Sequence, residues 1–313
     1  MWTGGIGSRV RRMIYTAYVL VFLIYLYMPL VVTSALAFND QDVPSFPWKG
    51  LTLDWFFNPN YKKEGVAQDS SGGEIGTGAT SGRMGVFNDE KMMLAIKNSL
   101  LVAAGVTVLS LIVGTTTSFL LERHRFTGDA LIYFLMMAPL VIPGVILGVS
   151  ILAFANSLTG SLQAAFGREA VRAITPLFLP SLPMVVAGQF CFIGTLATMV
   201  ISSRLRRFPV VQEDAAMDLG ASRISAIWSV TIPYLVPALF SAGIVSFLTS
   251  FENFSTTLFL IGSQPTLPIL FYSRLRFSTT PEINAVSVLL MVATVLLGGI
   301  AFGLGRLRSS GRA

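Results

Sequence analysis

The chain of 313 residues is 53% hydrophobic and only 12% charged, with a mean hydropathy of +0.69. Soluble domains carry about a quarter charged residues, so this deficit points to a lipid bilayer as the solvent. One cysteine (Cys191), one histidine (His124) and no Gly-Lys dipeptide exclude an internal disulfide, a Cys- or His-based metal centre and a P-loop, and the net charge of +6 lies largely at the ends of apolar runs, which is no argument for nucleic acid.

Apolar runs at about 13–38, 96–121, 130–155, 177–203, 234–261 and 285–305 each hold the roughly 20 residues that a spanning helix needs. Backbone groups in lipid must be satisfied within their own segment, so the fold class is an all-α membrane protein with six transmembrane helices. Ala35-Leu36-Ala37 at the end of the first run resembles a signal-peptidase site, but the run is long for a signal core and cleavage would leave five spans. The reading is therefore an uncleaved anchor, in a first segment of residues 1–38. Residues 39–94 form an outward loop. Its first part, Phe46-Pro47-Trp48-Lys49-Gly50-Leu51-Thr52-Leu53-Asp54-Trp55-Phe56, is compact and aromatic, and 65–85 is a Gly-, Ser- and Thr-rich insertion.

Arginines orient the spans. Arg9, Arg11 and Arg12 precede the first; Arg123 and Arg125 lie between the second and third; Arg204, Arg206 and Arg207 follow the fourth; Arg306, Arg308 and Arg312 follow the sixth. With six spans all four clusters share one side, the cytoplasm, which also receives both termini. His124 among them reads as a solvated residue.

The third span carries Pro139 and Pro143, which remove backbone hydrogen bonds and permit either a gate or a static bend. Gly144-x3-Gly148 and Gly299-x3-Gly303 permit close helix contact. Gln189 in the fourth span is an intramembrane polar group with open roles, and Cys191 reads as a small apolar filler. Glu252 falls near the middle of the fifth span, within Phe251-Glu252-Asn253-Phe254. An acid at a helix centre costs about 2.5–3.5 kcal/mol on insertion scales, so such groups face a cavity or a partner. Two readings stand: a countercharge for an amine cargo, with Phe251 or Phe254 supplying cation–π contact and Asn253 beside it on the path, or a hydrogen bond to another helix.

Between the fourth and fifth spans, residues 209–233 form a short polar loop. Pro209 suits a first helical turn, Gly220 a left-handed helix end, and Ser222 a cap for the helix that runs into Ile224, Ile227 and Trp228. The expected shape is helix, sharp turn, helix, projecting from the membrane surface and suited to docking in a groove on a partner. Asp214-Ala215-Ala216, three residues, Gly220, nine residues and Val230-x-Ile232-Pro233 resembles the EAA loop of ABC-importer permeases, E-A-A-x3-G-x9-I-x-L-P. Asp214 stands where that family has Glu, which keeps the charge and shortens the reach.

The resemblance extends beyond the loop. Asn98-Ser99-Leu100 and Gly114 match the second-span opening of type I importer permeases, and Ala138-Pro139-Leu140-Val141-Ile142-Pro143-Gly144 is similar to their proline-bearing third helix. The aromatic outward loop, Leu267-Pro268-Ile269-Leu270-Phe271-Tyr272-Ser273 and Pro281-Glu282-Ile283-Asn284-Ala285 look like the spermidine/putrescine branch, as its second permease subunit. The likeness takes in 95–305 as a type I transmembrane domain, leaving 306–313 as a tail, and the insertion within 58–89 departs from it.

This resemblance implies a permease subunit of a bacterial inner-membrane ABC importer for polyamines. The chain would hold no cofactor and no catalytic or metal site of its own; ATP and Mg would be bound by the ATPase. Its implied partners are a second homologous permease, a dimer of ATP-binding subunits, an extracytoplasmic solute-binding protein and the lipid bilayer. Asp214, Ala215, Ala216, Gly220 and Pro233 would form the ATPase-coupling loop. Another small solute (an opine, an amino-acid-like compound, an aminophosphonate) is the alternative cargo. An ATPase-independent secondary transporter would not need a capped, projecting loop, and a membrane-embedded enzyme would need more buried ionisable groups than Glu252.

Overall fold

Most of each apolar run is helical in the computed structural model. The structure describes residues 6–41, 47–58, 85–123, 127–277 and 281–310, and side-chain environments from Val10 to Leu296. Among the described residues there is no β-strand, only an isolated bridge between Asn39 and Leu51. The chain divides into two compact units, one drawn from 1–93 and 273–313, the other from 94–272.

In the first unit, α1 (Ile6–Leu36) packs against α13 (Glu282–Ser310) and leaves most of its apolar side chains exposed. Pro29 sits inside α1, and Thr33 and Ser34 donate to the carbonyls of Pro29 and Leu30 at 2.9 and 2.7 Å. Hydroxyls of this kind return hydrogen bonds to backbone that water does not reach. The aromatic loop folds back on the end of α1. Trp55 Nε1 donates to the Asn39 carbonyl at 3.0 Å, Asp40 N to Gly50 O at 3.0 Å, and Phe56 stacks on Phe38 with centroids 5.3 Å apart. Trp55 and Phe56, on the short helix α2 (Asp54–Phe57), are buried. Asp89 caps α3 (Glu90–Arg123), accepting from the backbone N–H of Lys91 and Met92 at 2.9 and 3.1 Å, and it also pairs with Arg274, whose Nη1 reaches Glu282 at 2.7 Å. The inserted stretch lies mostly outside the described residues, as does His124.

In the second unit, α7 (Leu182–Leu205) is the central helix. Val185, Ile193 and Ile201 are fully buried. They belong to two apolar clusters, one with Val102, Val106, Met184 and Leu260, the other with Leu205, Phe208, Leu235 and Ala242. Among the described residues, five helices are long and apolar enough to cross a bilayer: α1, α3, α5 (Gly144–Phe166), α7 and the stretch Arg223–Phe251. Two further apolar stretches are shorter, α4 (Asp129–Val141) and the part of α13 from Glu282 to Leu296.

Two of the expected spans differ from this. The run at 130–155 is not one helix. Ile142 is extended (φ −74°, ψ 127°), α4 ends before it, and α5 begins after Pro143 and continues to Phe166. The ring of a proline pushes the preceding residue out of the α region, so Pro143 ends one helix and opens the next rather than merely bending it. The run at 234–261 is interrupted too. The helix α10 (Ile232–Phe251) stops at Phe251, and a turn through 252–256 leads into the short α11 (Thr257–Leu260). Asn253 Oδ1 accepts from Thr257 N at 3.3 Å and Thr257 Oγ1 at 3.0 Å, a side-chain cap that competes with continued helix. Glu252 is therefore the C-cap of α10, not a mid-helix residue.

Candidate functional site

The loop at 209–233 is built as a rigid turn. α8 (Val211–Asp218) carries Asp214, Ala215 and Ala216. At its end Gly220 takes φ +93°, Ala221 N donates to Ala216 O at 3.0 Å, and Gly220 N to Met217 O at 2.9 Å. This pair of bonds is the Schellman arrangement, which satisfies the last carbonyls and reverses the chain. Ser222 Oγ then accepts from Ser225 N at 3.2 Å and starts α9 (Arg223–Ala226). The helix continues through one π turn, Ile227–Thr231, into α10, with Pro233 in its first turn. A proline has no N–H to return to the carbonyl four residues back, and widening the register to five residues just before it accommodates that gap.

Asp214, Ala215 and Gly220 are exposed, and so are Leu219, Ile224 and Trp228, at 91%, 71% and 68%. Large apolar side chains exposed along one turn offer a surface for a partner. Glu213 does the opposite. It is buried, receives Arg123 Nη2 at 2.8 Å, and accepts a hydrogen bond from Thr231 Oγ1. Arg123 lies 5.3 Å above the ring of Phe208; Phe208 meets Tyr234 edge-on at 5.1 Å; and Arg204 covers Tyr234 at 4.5 Å while donating to its carbonyl at 2.8 Å. Sequence reasoning singled out Asp214 and passed over Glu213. Adjacent residues on a helix point about 100° apart, so one of two neighbouring acids faces inward. Which one does so depends on Arg123, which is 90 positions away in the chain.

The break after α10 forms a second group. Gln189 Nε2 donates to Thr257 Oγ1 at 2.8 Å, Ser250 Oγ donates to Gln189 Oε1, and Thr257 in turn bonds Asn253. Gln189, Ser250 and Thr257 are buried, so this chain satisfies polar groups that would otherwise be costly away from water. Thr256 Oγ1 reaches Gly144 O at 3.3 Å, which ties the break to the start of α5. Asn253 thus joins Gln189 and Thr257 in a structural network. Glu252 is exposed; its backbone N–H donates to Leu248 O at 3.1 Å, and its carboxylate has no hydrogen-bond partner among the described residues. Phe251 stacks with Phe247 at 6.1 Å and Phe254 meets Tyr272 at 4.9 Å, so aromatic faces flank the acid along the chain. Cys191 is exposed, with Sγ donating to Ala187 O at 3.4 Å, and does not fill the core as its residue type suggested. No group of three or more metal-ligating side chains occurs among the described residues.

Comparison with known proteins places this geometry. Residues 107–307 match the family model described as binding-protein-dependent transport system inner membrane component. The chain is 30% identical over 280 residues to the putrescine transport system permease protein PotI of Escherichia coli, covering 89% of this chain and 85% of that one. It is 25% identical over 288 residues to the spermidine/putrescine transport system permease protein PotC of Haemophilus influenzae, covering 92% and 94%. The sulfate transport system permease protein CysT of Salmonella typhimurium is 25% identical over 218 residues, 68% of this chain and 76% of that one. Among solved structures, a chain of a bacterial ABC transporter involved in the import of the acidic polysaccharide alginate superposes with a TM-score of 0.64 at 13% identity, over 97% of this chain and 99% of that chain. That likeness shows the shared fold.

Proposed function

The chain belongs to the binding-protein-dependent transport system inner membrane component family, and from that premise we propose that it carries a polyamine, putrescine or spermidine, across a bacterial inner membrane. It is a multi-pass membrane protein and a permease component of an ABC importer. In the proposed assembly it pairs with a second, homologous permease. ATP and Mg are bound by a dimer of ATP-binding subunits, and a solute-binding protein delivers cargo from outside. Both termini and the 209–233 loop face the cytoplasm, in keeping with the arginine clusters.

The observation that carries this reading is the capped turn of α8 and α9 with its exposed Leu219, Ile224 and Trp228. A chain that worked without an ATPase would have no need of such a surface. Asp214, Ala215, Ala216 and Gly220 form the docking face: small side chains admit close approach, and the acid and the turn give it a register. Nucleotide-driven closure of the ATPases then tilts the loop and switches the permease between outward- and inward-open states.

The polyamine cargo is supported by the two relatives named for putrescine and spermidine and by Glu252. An unpaired carboxylate on the exposed side of a helix break attracts an organic cation and repels a dianion such as the sulfate named for the third relative. The test of the whole reading has two arms. Co-purification of the ATPase with the tagged permease is expected, and its absence would remove the importer assembly. Uptake of radiolabelled putrescine, lost on deleting the gene and restored by returning it, is the expected result for the cargo. Unchanged uptake in a strain with no second polyamine importer moves the cargo to another small solute. Glu252→Gln is expected to raise the apparent KM for putrescine by on the order of tenfold, or about 1.4 kcal/mol, as the loss of one charge-assisted contact would. Membrane levels should be unchanged, and an unaltered KM takes Glu252 out of the cargo path.

A further inference from the structure

Glu213 lies one residue before the docking face but does not belong to it. We propose that Glu213, held by Arg123 and Thr231, is a positioning residue that locks the docking helix to the end of the second span, so that α8 and α3 move as one body. This rests on the coupling role proposed for the loop and names the contact through which the loop would act on the membrane helices.

Three observations converge on it. The ion pair joins the last residue of α3 to the first turn of α8 at 2.8 Å, with both side chains largely withdrawn from water, at 15% and 12% exposure. An ion pair shielded in this way is far less screened than a surface one, and breaking one side leaves an uncompensated buried charge. Thr231, the last residue of the π turn, donates to the same carboxylate, so Glu213 also ties α8 to the root of α10. Single π turns recur at functional positions because their widened register presents side chains that an α-helix would place elsewhere. Arg123 is itself fixed from its other side by the buried ring of Phe208. A cation at the end of α3 also suits the partial negative charge of that helix terminus. The two acids in the first turn of α8 therefore divide the work: Asp214 faces out, and Glu213 faces the protein.

A neighbouring ion pair provides the control. Arg206 holds Glu122 through two bonds, at 3.0 and 2.7 Å, and joins the ends of α3 and α7 without touching α8. A rigid body carrying both α3 and α8 keeps a fixed internal distance while the importer cycles. In a Cys191→Ala background, spin labels at Ile112 on α3 and Val211 on α8, both exposed and neither on the docking face, report that distance in the assembled complex. The original protein is expected to give one narrow distance distribution that does not change between the nucleotide-free complex and the complex trapped with ATP and vanadate.

Glu213→Gln is expected to lose that narrow distribution, with the ATPase still co-purifying, and to lower uptake by roughly tenfold, within the usual range for energetic coupling between sites. Glu122→Gln is expected to keep the narrow distribution. The paired reversal Arg123→Glu with Glu213→Arg is expected to narrow it again, which a merely structural loss of folding would not do. A narrow distribution in Glu213→Gln overturns the proposal, as does a double reversal that stays broad. Failure of the original protein to hold the ATPase counts instead against the importer assembly, so the two readings fail separately.

Discussion

Replacing Gly220 by glutamate is expected to abolish uptake while the permease still reaches the membrane and keeps its helices. The reason is conformational before it is steric. Gly220 adopts φ +93°, and a Cβ built there meets nothing within 4 Å, so there is no clash to relieve. A side-chain-bearing residue in the left-handed region costs about 1–2 kcal/mol, and in this turn that region closes both Schellman bonds. The strained turn opens to relieve the cost, and the angle between α8 and α9 is lost. Glutamate also sets a second carboxylate on the docking face beside exposed Asp218 and Leu219. The expected measurement is ATP hydrolysis by the complex without accompanying uptake. Gly220→Asn separates the causes, because asparagine tolerates the left-handed conformation and is uncharged: it is expected to keep most of the uptake. Equal loss in both variants would show that the turn conformation is not what matters.

Gly148→Leu is expected to lose most of the folded protein. Here the argument is steric. A Cβ at Gly148 would lie 2.9 Å from Thr256 O, 3.2 Å from Thr256 Cα and 3.3 Å from Phe259, and one at Gly144 would lie 3.0 Å from Ser255 Cβ. The obstacle is largely backbone of the break after α10, which has no rotamer to change. Moving α5 away would also release the Thr256 to Gly144 hydrogen bond and disturb the Gln189, Ser250 and Thr257 network behind it. Overpacking costs about 1–3 kcal/mol where flexible side chains can adjust, and a rigid neighbour places this site at the upper end. Gly148→Ala is expected to lower the thermal midpoint of the detergent-solubilised protein by a smaller amount. Gly160→Ala, on the same helix but in open space, should not lower it and should raise it slightly, because alanine is the better helix former. A Gly148→Leu protein of normal abundance and midpoint would mean that the close approach of α5 to the break is not required.

Both sites were visible in the sequence to different degrees. Gly220 and Ser222 were readable as a turn and a cap because they act on their own neighbours, and local backbone chemistry needs no knowledge of the rest of the fold. The Gly144-x3-Gly148 pair was readable as a small-residue stripe but gave no hint of its partner, since such stripes are common and the surface that fills them comes from elsewhere in the chain. The same limit explains Glu252. Its position within an apolar run made it look like an acid at a helix centre, whereas the cap made by Asn253 and the hydrogen bonds to Thr257 end the helix there. Hydropathy counts apolar residues and does not see a polar side chain reaching back to its own backbone. Gln189, two residues before the exposed Cys191, became a network residue only through its contacts with α10 and α11.

By itself the sequence determined that the chain is a helical membrane protein, which segments are apolar enough to span, and that a capped turn separates the fourth and fifth of them. These follow from composition, periodic hydrophobicity and local capping, each a property of contiguous residues. Only the tertiary structure decided that Pro143 divides a helix in two, that Glu252 ends one, and that Glu213 rather than Asp214 faces Arg123. Local chemistry permits the first two, but which option is taken rests on contacts far apart in the chain: Thr256 bonds Gly144 across 112 positions, and Glu213 meets Arg123 across 90. At such contacts the cost of an unpaired polar group or an occupied space selects one arrangement from several that local chemistry leaves open.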